Sequence, residues 1–204
     1  MYKINKMALR NEGKTEGGVS PKAMAKGYWI LLLLRLVAFS ATTSATIVMA
    51  LNKETKSFVI ATIGSTPITA TITAKFHHTP AFVFFVIVNG MASFHNLLMI
   101  AVDILGPDFD YKGMRLALIA ILDVMTLALA SAGDGAATFM ADLGRNGNSH
   151  ARWDKICDKF HTYCNHGGGA LIASFIGIIL MLVITVMSIV KLLKSNRVNH
   201  SVLP

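Results

Sequence analysis

Four long apolar stretches dominate the chain: Tyr28–Leu51, Pro80–Leu105, Leu116–Met140 and Gly169–Leu192. Each has at least the ~20 residues that cross a hydrocarbon core of ~30 Å at a rise of 1.5 Å per residue. The stretches predict an all-α integral membrane protein, a four-helix transmembrane bundle over 28–193. A polar tail expected to be disordered precedes it at 1–27, and a short polar tail follows at 194–204. Between the first two stretches the period changes. Ile68, Ala70, Ile72 and Ala74 alternate with Thr69, Thr71, Thr73 and Lys75, a period of two rich in β-branched residues. That pattern predicts a strand, with Ser57–Ile63 as its partner across the turn Gly64-Ser65-Thr66-Pro67. The expectation is a small extracellular β-hairpin in the first outer loop; the competing reading lays Phe58–Ala74 on or into the membrane.

Polar residues inside the apolar stretches are the next signal. Arg35 interrupts the first and Asp123 the third. Either charge alone in hydrocarbon is costly, and pairing is the cheapest remedy. Counted from one side, Arg35 lies roughly 10 Å deep, Asp123 roughly 12 Å and His95 roughly 15 Å. An intramembrane ion pair of Arg35 with Asp123 is therefore expected, with His95 and Asn96 as accessory polar groups of the second span. Asp134 stands roughly 28 Å along the third span, where it is either wet or paired with a loop cation. Asp103 falls near the headgroups and needs no special role. Small residues also recur at helical spacing. Ala38, Thr42, Thr46 and Ala50 form one row, Ser131 to Ala137 is dense in Gly and Ala, and Gly169, Ala173 and Gly177 form another row. Such rows allow close helix approach.

Composition agrees with the pattern: 53% of the residues are hydrophobic and 15% charged. No stretch remains for a separate soluble catalytic domain. The net charge of +8 is spread over tails and loops without a nucleic-acid module, so no nucleic acid is expected as partner. The two tails and the middle loop carry eleven Lys and Arg, the other two loops seven. By the positive-inside rule both termini are cytoplasmic. Tyr28 opens a segment too long for a signal-peptide core, and no small-residue cleavage site follows. The first span is therefore expected to serve as an uncleaved signal-anchor.

Cys157 and Cys164, the only cysteines, lie seven apart in the second outer loop, with Trp153 ahead of them and Tyr163 just before the second. In an oxidising exterior a disulfide is the default. A zinc site with His161 and His166 fits no standard spacing, and no metal or cofactor is expected. No nucleophile elbow, P-loop, zinc-protease helix or dinucleotide fingerprint occurs, so no catalytic residues are assigned. Asn199-His200-Ser201 has the glycosylation pattern but falls in the tail placed in the cytoplasm.

The small-rich third span with its aspartate, followed by Trp153-Asp154-Lys155-Ile156-Cys157 through Tyr163-Cys164, resembles the Casparian strip membrane domain protein-like family of plants, which is related to the MARVEL four-span proteins. The resemblance covers about Tyr28 to Leu193, and the family's first-span arginine and third-span aspartate match Arg35 and Asp123. It implies a plasma-membrane protein that associates with itself and with related family members. It also implies a scaffold that recruits cell-wall-modifying enzymes. The first-loop signature of the founding members is absent from Asn52–Thr79, so the scaffold class carries over rather than a role in lignin deposition. The alternative function is a small channel or proton-coupled transporter using Arg35, His95, Asp123 and Asp134.

Overall fold

A computed structural model describes residues 21–105 and 114–201, with side chains from Tyr28 to Leu105 and from Met114 to Lys194. The expected middle loop over 106–113 and most of the N-terminal tail lie outside the described residues. Among the described residues four α-helices form: α1 (Pro21–Ala50), α2 (Pro80–Leu105), α3 (Met114–Asn146) and α4 (His161–Ser201). All four are long and apolar enough to cross a membrane. They close into a ring in which α1 touches α2 and α4, and α3 touches α2 and α4. That leaves α1 and α3 facing each other across the diagonal.

The packing has a simple sequence basis. On α1 the buried positions are Leu31, Arg35, Ala38, Thr42, Ala45 and Met49; on α4 they include Tyr163, Gly167, Ala170, Ser174, Gly177, Met181, Ile184 and Ser188. The steps alternate between four and three, the seven-residue repeat of coiled-coil bundles. Phe85, Asn89, Ala92, Asn96 and Met99 repeat it on α2, and Ala120, Asp123, Ala130, Asp134 and Ala137 on α3. Large apolar side chains such as Leu33, Phe94, Ile121 and Ile179 stay on the outside, where acyl chains solvate them. Small residues set the spacing. A Cβ on Gly177 would stand 2.8 Å from Thr42 Cγ2, and one on Gly133 would overlap Val88 Cγ2.

Two strands, β1 (Lys53–Ile63) and β2 (Thr66–Lys75), form an antiparallel hairpin between α1 and α2. The turn is shorter than the sequence suggests. Only Gly64 and Ser65 lie in it, while Thr66 and Pro67 pair with Ile63 and Thr62. Gly64 has φ +64°, and a positive φ at the first turn residue alone marks a type II′ hairpin turn. Ile60 falls at an irregularity between Val59 and Ala61, a bulge that bends the strand. One face carries a hydroxyl ladder, with Thr55 against Thr73 at 2.9 Å and Ser57 against Thr71 at 3.0 Å. On the other, Phe58 stacks edge-on against Phe160.

Several boundaries differ from the sequence reading. Helix α1 begins at Pro21, a residue suited to a first helical turn, so the expected irregular tail is helical over 21–27. Helix α3 runs on to Asn146 and α4 continues through Ser201. Helix α4 also begins at His161 rather than Gly169. Gly167, Gly168 and Gly169 suggest a loop, but tertiary contacts overrule their low helix propensity. The Glu54 carboxylate of β1 accepts the Tyr163 backbone N–H at 2.7 Å, and Asn52 donates to the Tyr163 carbonyl at 2.8 Å. Desolvation is the largest single influence on Glu54 and raises its pKa. The Tyr163 N–H and the Lys56 ammonium outweigh that and hold it below its ordinary value.

Candidate functional site: two polar layers inside the bundle

The first polar layer is built on Asp123, which sits on the inward face of α3 and is almost completely buried. Its Oδ1 accepts from Arg35 Nη1 at 3.1 Å and lies 2.7 Å from His95 Nε2. Its Oδ2 accepts from Arg35 Nη2 at 2.9 Å and from Ser188 Oγ at 2.8 Å. An ionised carboxylate only accepts, so His95 Nε2 bears the hydrogen. The two oxygens thus receive four hydrogen bonds from side chains of α1, α2 and α4. One carboxylate ties the other three helices together. The Arg35–Asp123 contact is bidentate, the strongest geometry for such a pair, and it spans the diagonal of the ring. Arg35 Nε makes no hydrogen bond among the described residues but lies 3.8 Å from Asp103 Oδ2. Asp103 therefore belongs to this layer, against the sequence reading that gave it no role.

The second layer lies nearer the hairpin end and centres on Asp134, fully buried. The expectation of a wet Asp134, or one paired with a loop cation, is overturned. Packing of α3 against α2 and α4 encloses it, and its Oδ1 meets Ser174 Oγ at 2.7 Å and Asn89 Nδ2 at 3.2 Å. Ser174 Oγ also lies 2.6 Å from Asn89 Oδ1. Beside them Ser93 Oγ reaches Thr42 Oγ1 at 2.9 Å. Asn96 stays out of both clusters and donates to the Ala92 carbonyl of its own helix.

Between the two layers the core is apolar. Ala38, Ala92, Ala130 and Met181 are buried in one cluster. On each helix they stand between the two polar levels: Arg35–Ala38–Thr42, His95–Ala92–Asn89, Asp123–Ala130–Asp134 and Ser188–Met181–Ser174. A second cluster caps the hairpin end with Met49, Phe82, Phe85, Phe160, Tyr163 and Leu171.

Beyond that cap lies the lobe of the α3–α4 loop. Cys157 and Cys164 are joined in a disulfide with Cα atoms 5.6 Å apart. The backbone N–H groups of Ile156 and Cys157 both donate to the Gly144 carbonyl, which fastens the lobe to α3. Asn148 and Trp153 pair across a tight turn, with Gly147 at φ +68° and a Cβ there only 2.7 Å from the Trp153 carbonyl oxygen. A cavity of about 860 Å³ opens beside the lobe, lined among others by Asn52, Phe82, Trp153, Asp158 and His161. No cluster of metal-ligating side chains occurs among the described residues.

Sequence reasoning missed Ser188, Ser174, Ser93 and Thr42 as partners. Their spacing was the available signal. Ser174 and Ser188 are 14 residues apart, two heptads, so they share one face of α4.

A family model for the Casparian strip membrane protein domain matches residues 24–180, and the chain belongs to that family of multi-pass membrane proteins. Within it the chain falls among the CASP-like 1B proteins. It is 68% identical over 194 residues to CASP-like protein 1B1 of Glycine max, covering 94% of this chain and 100% of that one. The match to CASP-like protein 1B1 of Populus trichocarpa is 67% over 195 residues, covering 96% and 100%. The Arabidopsis thaliana 1B1 protein is 62% identical over 168 residues, 82% of this chain and 85% of that one. No solved structure matches the chain.

Proposed function

We propose that the chain is a non-enzymatic scaffold of the plasma membrane. Both termini lie in the cytoplasm, and copies associate with one another and with related family members in the plane of the bilayer. The hairpin, the disulfide-closed lobe and the cavity beside it face the exterior and offer docking surfaces to cell-wall-modifying enzymes. The observation that carries this reading is the layered interior. A conduction path needs polar groups strung along the membrane normal, with room for water. Here the buried charged groups and most of the buried polar ones bond to one another at two levels, Asn96 and Thr185 bond to carbonyls of their own helices, and Ala38, Ala92, Ala130 and Met181 pack between the levels. Such an interior favours a stiff unit over a gated one.

Photobleaching of the tagged chain in a plant cell tests the reading. A scaffold gives patches with slow recovery. Uniform, fast recovery together with a pH- or voltage-dependent current in a heterologous cell would overturn it in favour of transport.

A further inference from the structure

The two buried aspartates have opposite surroundings, and the contrast bears on which of them is ionised. Asp123 receives four hydrogen bonds and a guanidinium. Around Asp134 no cation stands among the described residues; its bonded neighbours are Asn89 and Ser174. An unpaired carboxylate in hydrocarbon is among the most expensive arrangements a membrane protein can hold.

Hydrogen counting points the same way. The Asn89 amide is oriented by the Phe85 carbonyl, which accepts from Nδ2 at 3.1 Å, so Asn89 Oδ1 is the atom turned to Ser174. Ser174 Oγ then lies between two acceptors, Asn89 Oδ1 at 2.6 Å and Asp134 Oδ1 at 2.7 Å. Both are O–H···O distances, yet the serine hydroxyl has one hydrogen. A second hydrogen must come from the carboxyl. A metal ion fits worse, because oxygens that share an ion have it between them and do not close to hydrogen-bond distance. The other carboxyl oxygen, Oδ2, has no hydrogen-bond partner among the described residues. That is costly for a carboxylate oxygen and much cheaper for the carbonyl oxygen of a neutral acid.

We propose that Asp134 is a proton-binding site: in the folded protein it is a neutral carboxylic acid whose O–H donates to Ser174, which donates in turn to Asn89. The chain of hydrogen bonds links α3, α4 and α2 without placing a net charge in the second layer.

Infrared spectroscopy of the purified full chain in lipid nanodiscs at pH 7.5 is the test, beside labelling with a hydrophobic carbodiimide, which reacts with protonated carboxyls. The expected result is a protonated-carboxyl C=O band that vanishes in Asp134→Asn, and carbodiimide adducts that map to Asp134. Asp134→Asn melts close to the unaltered protein, because its amide N–H replaces the carboxyl O–H toward Ser174. Asp123→Asn, in contrast, leaves the band in place. A spectrum with carboxylate bands only, together with no labelling at Asp134, would overturn the proposal. So would a melting temperature raised by sodium but not by lithium or potassium, which would mark a metal site. Labelling uses the unaltered chain, so the result stands even if a variant folds poorly.

Discussion

Truncating Asp123 is the sharpest perturbation of the bundle. Asp123→Leu removes the acceptor of four hydrogen bonds and leaves the Arg35 guanidinium, 1% exposed, without its bidentate partner and with only the longer 3.8 Å contact to Asp103. Breaking a buried ion pair by removing one partner costs about 3–5 kcal/mol. Side-chain hydrogen bonds within a bilayer average about 0.6 kcal/mol, so the stranded His95 and Ser188 add about 1 kcal/mol. The total of about 4–6 kcal/mol rivals the whole stability of many domains. Arg35→Met alone should cost about 3–5 kcal/mol. Combining the two replaces an ion pair by apolar side chains, often close to neutral, so the double variant should return to within about 2 kcal/mol of the starting protein. Denaturant titration in mixed micelles, followed by circular dichroism, measures all four species. Single substitutions that each cost under about 1 kcal/mol, with a double variant equal to their sum, would refute the ion pair as the tie across the diagonal.

Glycines two residues apart on α3 provide an internal control. Gly133→Ala should cost about 1–3 kcal/mol by overpacking, because its Cβ overlaps Val88, whereas Gly135 has open space around it and Gly135→Ala should be neutral or stabilising in the same titration. Replacing Cys157 and Cys164 by serine opens a ring closed over a separation of seven residues and should remove about 2–2.5 kcal/mol on the loop-entropy model. Intact-mass measurement after alkylation without reduction should find no free thiol in the parent. Glu54 should make the docking of β1 on α4 pH-dependent. Its folded pKa is depressed, so the contact is fully present above the ordinary value of 4.5 and fades as pH falls through the lower folded value. The protection factor of the Tyr163 amide, its exchange rate relative to the intrinsic rate at the same pH, should therefore fall in acid, and Glu54→Gln should remove that dependence.

The spans were legible because hydropathy responds to length, and Pro80–Leu105 coincides with α2. Facing was harder to read. In a soluble helix the polar side marks solvent, but here both faces are apolar, so Leu33 on the outside and Leu31 on the inside look alike. Polar residues break that ambiguity: Arg35 and Thr42 are seven apart, as are Asn89 and Asn96, and each pair marks the inward face. Depth placed Arg35, His95 and Asp123 at one level, and the geometry brings those three side chains together. Asp134 misled because Gly133 and Gly135 suggest an exposed, loosened helix end; in fact Gly133 lets Phe85 and Val88 of α2 approach α3 closely, and Asp134 next to it is fully buried. The start of α4 was hidden for a related reason. Its cap comes from Glu54, more than a hundred residues away, and no local pattern carries such a signal.

The diagonal tie also has a history in time. Arg35 and Asp123 are separated by 88 positions in the chain. At a synthesis rate of about 5–20 residues per second, the arginine waits roughly 4–18 s before its aspartate has been made. Through that interval the first span is a helix with an uncompensated guanidinium, one that bare lipid accepts poorly. The nascent chain therefore needs a sheltered berth, at the insertion machinery or beside an intramembrane chaperone, until the third span arrives to release it.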